Sequence, residues 1–203
     1  MTRVYTGGSM SLDGYISGPE ETGFDKLFKW YENGDVTVET THPELTFHLT
    51  EVSATHWRRI IAETGALVVG LKLFDITQGW GGNHPMGVPV VVVTHSVPDG
   101  WPREGAPFHF VTEGGTEGIE RAVGLARELA GDKNVCVNAG TIARQCLDAR
   151  LLDEVGIDLV PVLLGGGTPF FTDLKGAPYE LEGPVSTAEG KDVTHLRYRV
   201  RYA

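Results

Sequence analysis

The residues best suited to chemistry sit where short apolar runs give way to small residues. Asn138-Ala139-Gly140-Thr141-Ile142 follows the run Val135 to Val137 and opens a segment of helical period. Small residues there let a ligand approach the backbone, and a helix N-terminus offers free N–H groups to a pyrophosphate. The same residues also read as a tight strand-to-helix turn with Thr141 as N-cap. Gly165-Gly166-Gly167 follow a second apolar run, Val155 to Leu164, without the Gly-Lys-Ser/Thr of a phosphate loop or the G-x-G-x-x-G of a dinucleotide fingerprint. They serve either as a ligand lining or as a turn where two backbones pass closely. Val69-Gly70-Leu71-Lys72-Leu73-Phe74 is a third such strand end, with a lysine beside it.

Other chemistries find less support. The seven histidines form no H-E-x-x-H, no H-x-H and no Cys/His cluster, so no metal is expected. No serine lies in a G-x-S-x-G elbow. Cys136 and Cys146 occupy apolar strand and helix positions, which makes them core thiols. Among the carboxylates, Asp13 lies in Ser11-Leu12-Asp13-Gly14-Tyr15-Ile16, close to the first strand. Asp25 opens a small amphipathic helix, where an aspartate serves equally as cap or dipole partner. Phe28, Trp30 and Trp80 either stack a flat heterocycle or pack a core.

The elements that must position these residues alternate between Val/Ile-rich runs and helical periods, the pattern of an α/β layer fold. Strands are predicted at Val4 to Thr6, Ala66 to Gly70, Val88 to Thr94, Phe108 to Thr112, Val135 to Val137 and Val155 to Leu164. Most lack polar alternation and so are buried on both faces. Helices are predicted at Glu51 to Glu63, Glu117 to Ala130 and Ile142 to Leu151. Thr194 to Tyr202 alternates strictly, which predicts an antiparallel strand whose stripe His195, Arg197, Arg199 and Arg201 is either a solvated face or an anion or partner site, the solvated face being the commoner case. The stretch from Gly18 to Thr50 is least regular, with a short helix expected around Phe24 to Tyr31 and a strand at Val36 to Thr40; such insertions often act as lids.

Composition narrows the function classes. At 203 residues, with 41% hydrophobic residues and no linker or repeat, the chain reads as one domain, 1–203. Its 17 Lys+Arg against 27 Asp+Glu give a charge of -10, the wrong sign for a protein that neutralises phosphate backbones, so neither nucleic acid nor an anionic membrane is an expected partner. Two cysteines are too few for a disulfide framework, and there is no apolar leader or membrane-length run. A cytoplasmic location is expected.

Taken in order, Ser11-Leu12-Asp13-Gly14-Tyr15-Ile16, Val68-Val69-Gly70 with Phe74-Asp75, Val91-Val92-Val93-Thr94-His95, and the block Ala139-Gly140-Thr141-Ile142 through Leu151-Leu152-Asp153-Glu154 into Val160-Pro161-Val162-Leu163-Leu164-Gly165-Gly166-Gly167 resemble the dihydrofolate reductase-like family. The similarity is to the type found as the C-terminal reductase domain of the riboflavin-biosynthesis deaminase/reductase. It covers almost the whole chain, without the deaminase domain. The resemblance implies a three-layer α/β fold: a mostly parallel central sheet with an antiparallel C-terminal strand and helices on both faces, usually in a homodimer. It implies an NADPH-dependent reductase, NADH not excluded, that transfers hydride to a heterocyclic, imine or carbonyl small molecule. A dinucleotide-binding sensor or partner module without catalysis is the rival. By position, Ser9 and Ile16 would border the nicotinamide, and Gly70, Leu71, Lys72 and Leu73 would meet the adenosine phosphates. Thr94 and His95 would lie by the adenine ribose, and Ala139, Gly140, Thr141, Ile142 and Ala143 would form the pyrophosphate turn. Asp13, Asn138 and Gly166 would face the substrate, and Asp25, Asp13 or a water would deliver the proton, Asp25 being placed like the acidic residue that opens the helix after the first loop in dihydrofolate reductases. Two departures stand out: Gly70-Leu71-Lys72-Leu73 replaces the family's G-R-x-T, and Asn138-Ala139-Gly140 stands where relatives have consecutive glycines or Glu-x-Gly. The first removes an arginine clamp from the cofactor phosphates; the second removes a carboxylate that riboflavin-pathway relatives present to substrate.

Overall fold

The computed structural model describes residues 2–202. In chain order its elements are β1 (Val4–Gly7), β2 (Ser9–Ser11), β3 (Tyr15–Ser17), α1 (Phe24–Leu27), β4 (Val36–Val38), β5 (Phe47–Leu49), α2 (Glu51–Glu63), β6 (Thr64–Gly70) and α3 (Leu71–Ile76). There follow β7 (Val90–Val93), β8 (Phe108–Val111), α4 (Gly115–Ala130), β9 (Asn134–Asn138), α5 (Thr141–Asp148), β10 (Glu154–Val160), β11 (Thr168–Pro169), β12 (Glu180–Gly190) and β13 (Val193–Arg201). The main sheet runs β12-β13-β10-β1-β9-β6-β7-β8, with β2 extending β1 alongside β10. From β10 to β8 all neighbours are parallel; β13 is antiparallel to β10 and to β12. No helix among the described residues is long and apolar enough to cross a membrane.

The continuous Val/Ile runs have a simple cause. Val68, Val91, Val135 and Val137 point to one face, where Ile119, Ala122, Val123 and Ala126 of α4 and Ile142, Ala143, Cys146 and Leu147 of α5 cover them. Their neighbours Leu67, Val69, Val90 and Val92 point to the other and pack on Phe74 of α3. Each strand thus buries both faces, at about 1.5–3 kcal/mol for every large apolar side chain removed from water.

Three expectations are corrected. The strand expected to reach Leu164 ends at Val160, because Pro161 has no N–H for the ladder. The C-terminal strand is antiparallel as expected, but it is internal: the unpredicted β12 pairs along its outer side and forms the sheet edge. The stripe on β13 is solvated only at its end. His195 is 2% exposed, beneath Ser53 and His56 of α2, and Arg197 is largely covered, while Arg199 and Arg201 remain exposed.

The irregular segment packs a small second core against Val160 of β10 and Val193 of β13. Leu27, Trp30, Val38, Phe47, Leu49 and Ala54 pack together around the β4–β5 ladder, and Trp30 Nε1 donates to Ser9 Oγ at 3.0 Å. Trp30 is therefore a core residue. Phe24, Phe28 and Tyr31 of the same segment turn toward the carboxyl ends of the sheet strands and form a wall of the site.

Candidate functional site

Parallel strands bring their carboxyl ends to one side, and beyond them lies a cavity of about 510 Å³. Ser9, Ile16, Gly70, Leu71, Lys72, Leu73, Thr94, His95, Ala139, Gly140, Thr141 and Ile142 all line it. Ala143 is buried one position further into α5 and does not. Three helices begin here, α3 after Gly70, α4 after Gly114 and α5 after Gly140, and none carries a side-chain cap. Their first N–H groups have no intrahelical acceptor, so several partial positive charges face one space. Thr141 is the first helical residue of α5 and not its cap; Gly140, at φ 82°, makes the turn, and its N–H donates to Phe170 O at 2.9 Å.

Glycine keeps the cavity open. A Cβ at Gly8, Gly114 or Gly115 would meet nothing within 4 Å. The Glu113-Gly114-Gly115 turn went unpredicted, because a polar loop with two glycines looks the same whether or not it faces a ligand. Lys72 Nζ pairs with Glu21 at 2.9 Å and donates to Thr168 Oγ1 at 3.5 Å. Glu113 pairs with Arg121 at 2.9 Å.

A second cavity, of about 500 Å³, opens from the first. The two share Gly7, Gly8, Phe24, Phe28, Tyr31, Leu73, Ile76 and Asn138. Asn138 Oδ1 accepts from Gly70 N at 2.9 Å and ties the ends of β9 and β6 together at this junction. The second cavity is mostly apolar, with Trp57, Trp80, Met86 and Leu67 in its walls. Cys136 also lines it, and burial pushes its thiol up to about 11, so it is no nucleophile at neutral pH. His84 is held down to about 4, mainly by burial, and its Nδ1 accepts from Met86 N at 3.1 Å.

The polar floor of this cavity comes from three separate elements. Asp158 of β10 accepts at one oxygen from His195 Nδ1 of β13, at 2.7 Å, and from His56 Nε2 of α2, at 3.1 Å. The imidazoles stack with centroids 3.9 Å apart. Burial alone would raise the Asp158 carboxyl, but the hydrogen bonds from His195 and His56 outweigh it and hold it down at about 2. His195 Nε2 meets Ser53 Oγ at 3.0 Å, which reproduces the connectivity of a hydrolase relay. Ser53 is buried and lines neither cavity, so it has no route to a substrate. Positions 56, 158 and 195 share no local spacing, and only the fold brings them together.

The remaining expected site residues lie elsewhere. Asp25 is 71% exposed, pairs with Lys26 Nζ at 2.9 Å and lines neither cavity. The Lys26 hydrogen bond lowers its carboxyl below the usual range. Asp13 accepts from Ser11 Oγ at 2.5 Å, from Leu164 N at 3.1 Å and from Gly165 N at 2.7 Å, which clamps the triglycine loop. Gly166 sits in that loop against Pro19, and Gly167 passes so close to Ser17 O and Gly18 that no Cβ fits. Neither lines a cavity.

No protein-family model and no curated protein matches this sequence. Solved structures do. A Shewanella sp. PV-4 protein assigned by name to riboflavin biosynthesis superposes with TM-score 0.70 at 19% identity, over 100% of both chains. A diaminohydroxyphosphoribosylaminopyrimidine deaminase/5-amino-6-(5-phosphoribosylamino)uracil reductase from Thermotoga maritima gives 0.57 at 15% identity, over 98% of this chain and 57% of that one. Dihydrofolate reductase from Enterococcus faecalis, complexed with NADP(H) and RAB-propyl, gives 0.56 at 14%, over 98% and 97%. With the parallel strands, the antiparallel β13 and the cleft at the strand ends, these superpositions establish that the chain has the dihydrofolate reductase-like fold.

Proposed function

We propose that this protein is a reductase using NADPH or NADH, with the dinucleotide in the first cavity and a small flat acceptor in the second. One observation carries the reading: the two cavities form a continuous cleft, joined at Gly7, Gly8 and Asn138, with uncapped helix starts on one side and aromatic walls on the other. The first cavity fits a dinucleotide, since its glycines leave room for a pyrophosphate against the α4 and α5 N–H groups. When bound, the reduced nicotinamide supplies hydride. The chain holds the two reactants edge to edge and keeps water out through Phe24, Phe28 and Tyr31. Asp158, with its two imidazoles, hydrogen-bonds the polar edge of the acceptor.

The lining also bears on substrate and cofactor choice. Arg197 is committed to Glu154 at 3.0 Å and Glu63 at 3.2 Å, so Arg59 is the remaining cation of the second cavity. That suits an apolar heterocycle, imine or carbonyl compound better than a phosphorylated ribosylamino-pyrimidine. In the first cavity Lys72, the one lysine or arginine among the lining residues, is already paired with Glu21, and Glu113 adds a carboxylate to the lining, which favours NADH at least equally.

Fluorescence titration with NADPH and NADH, followed by oxidation assays with a panel of acceptors, tests the reading. Micromolar binding and acceptor-dependent oxidation support it. Binding without oxidation across the panel would favour the sensor module, and absence of binding would overturn both.

A further inference from the structure

We infer that His56, Asp158 and His195 form a binding site for a divalent first-row transition ion, open to the second cavity. The donor atoms of the three side chains all lie within 4.8 Å of one another. Two imidazoles and one carboxylate are the ligand set of zinc and of non-haem iron sites, and three protein ligands with an open side are typical of ions that meet a small molecule. Ligand atoms around a tetrahedral ion stand about 3.3 Å apart, given metal–ligand distances of about 2.0–2.2 Å. The present separations of 2.7 Å and 3.1 Å would widen by about 0.6 Å and about 0.2 Å to reach that spacing.

Three further features support the assignment. The open side is defined: all three side chains line the cavity, and His56 at 12% and Asp158 at 11% are more exposed than His195 at 1%, so remaining coordination positions would face it. The rear is supported, because Ser53 Oγ stands 3.0 Å from His195 Nε2 and itself accepts from Thr50 Oγ1 at 3.2 Å. Second-sphere bonds of this kind fix the orientation of a ligating imidazole. Charge also fits. Arg197, beside the cluster on β13, is taken by Glu63 and Glu154, so among the described residues no arginine or lysine pairs with the buried Asp158 carboxylate, whose charge a bound cation would offset.

The site rests on these residues and not on the reductase reading, so its test uses no dinucleotide. The purified 203-residue chain is stripped with chelator and titrated with Zn²⁺ calorimetrically and with Co²⁺ by visible absorption. One equivalent bound with micromolar or tighter affinity, and a Co²⁺ spectrum of low coordination number, are expected. His56→Gln, at the partly open edge, and Asp158→Asn should each weaken binding at least tenfold, with folding checked by circular dichroism. His42→Ala and His48→Ala, on surface His–Glu pairs, should leave it unchanged. If His56→Gln folds and binds as the parent does, or if the parent shows no saturable binding, the cluster holds no metal and the proposal falls.

Discussion

At the residue scale, two acids compete for the role beside the acceptor, and their surroundings separate them. Asp25 has the expected place at a helix start, but its carboxylate is exposed and paired with Lys26. Asp158 lies in the second cavity and holds two imidazoles. Asp158→Asn should therefore lower acceptor-dependent oxidation about 100-fold, the scale for losing a preorganised charged hydrogen-bond partner at the reacting edge, while Asp25→Asn lowers it threefold at most. Steady-state rates on the same acceptor decide it, and the reverse ranking would return the role to Asp25. His84 gives a pH effect of definite sign. Its folded value, about 4, lies below the ordinary histidine value, so as pH falls the unfolded chain takes up a proton first. The stability difference vanishes above pH 6.5 or so and grows against the fold as pH drops toward 4, by roughly 2 kcal/mol after allowance for partial exposure. Denaturant unfolding at pH 7 and pH 4.5 should show a smaller loss for His84→Gln than for the parent; equal losses would mean that the ring is not held neutral.

At the scale of elements, the uncapped helix starts make a prediction in which stability and binding move in opposite directions. Gly114 precedes α4 with φ −87° and ψ 166°, backbone angles that any residue adopts at an N-cap, and a Cβ there meets nothing. Gly114→Asp should cap the helix, stabilising it by about 0.3–1 kcal/mol, while its charge occupies the N–H groups offered to phosphate. Dinucleotide affinity should fall at least tenfold without loss of thermal stability; unchanged affinity would take α4 out of the site. The same elements show what a sequence exposes. The parallel strands were legible because burial on both faces writes unbroken apolar runs, as at Val90–Val93. The stretch Glu180–Gly190 was not, since nearly all its side chains are exposed and Gly183-Pro184 interrupts its register with β13. The wall of the first cavity was legible because whole segments at strand ends build it. The polar floor is assembled from single side chains on α2, β10 and β13, and no local pattern announces that.

At the scale of the whole molecule, the cleft links parts that are far apart in sequence. Its walls draw on β1, the 19–50 segment, α2, β6, β9, β10 and β13, so a ligand that fills it touches both halves of the sheet and the small core packed on them. A bound dinucleotide should therefore stabilise the fold as one unit and not a single loop. At a concentration one hundred times its dissociation constant, linkage gives about 2.7 kcal/mol. For a chain of 203 residues, each kcal/mol raises Tm by about 2–4 °C, so a rise of about 5–10 °C in a single transition is expected. Differential scanning calorimetry with and without NADPH or NADH measures it. A split transition would show that the 19–50 segment melts apart from the sheet and only covers it. An unmoved transition at saturating dinucleotide would mean that the uncapped helix starts hold no cofactor, whatever the fold.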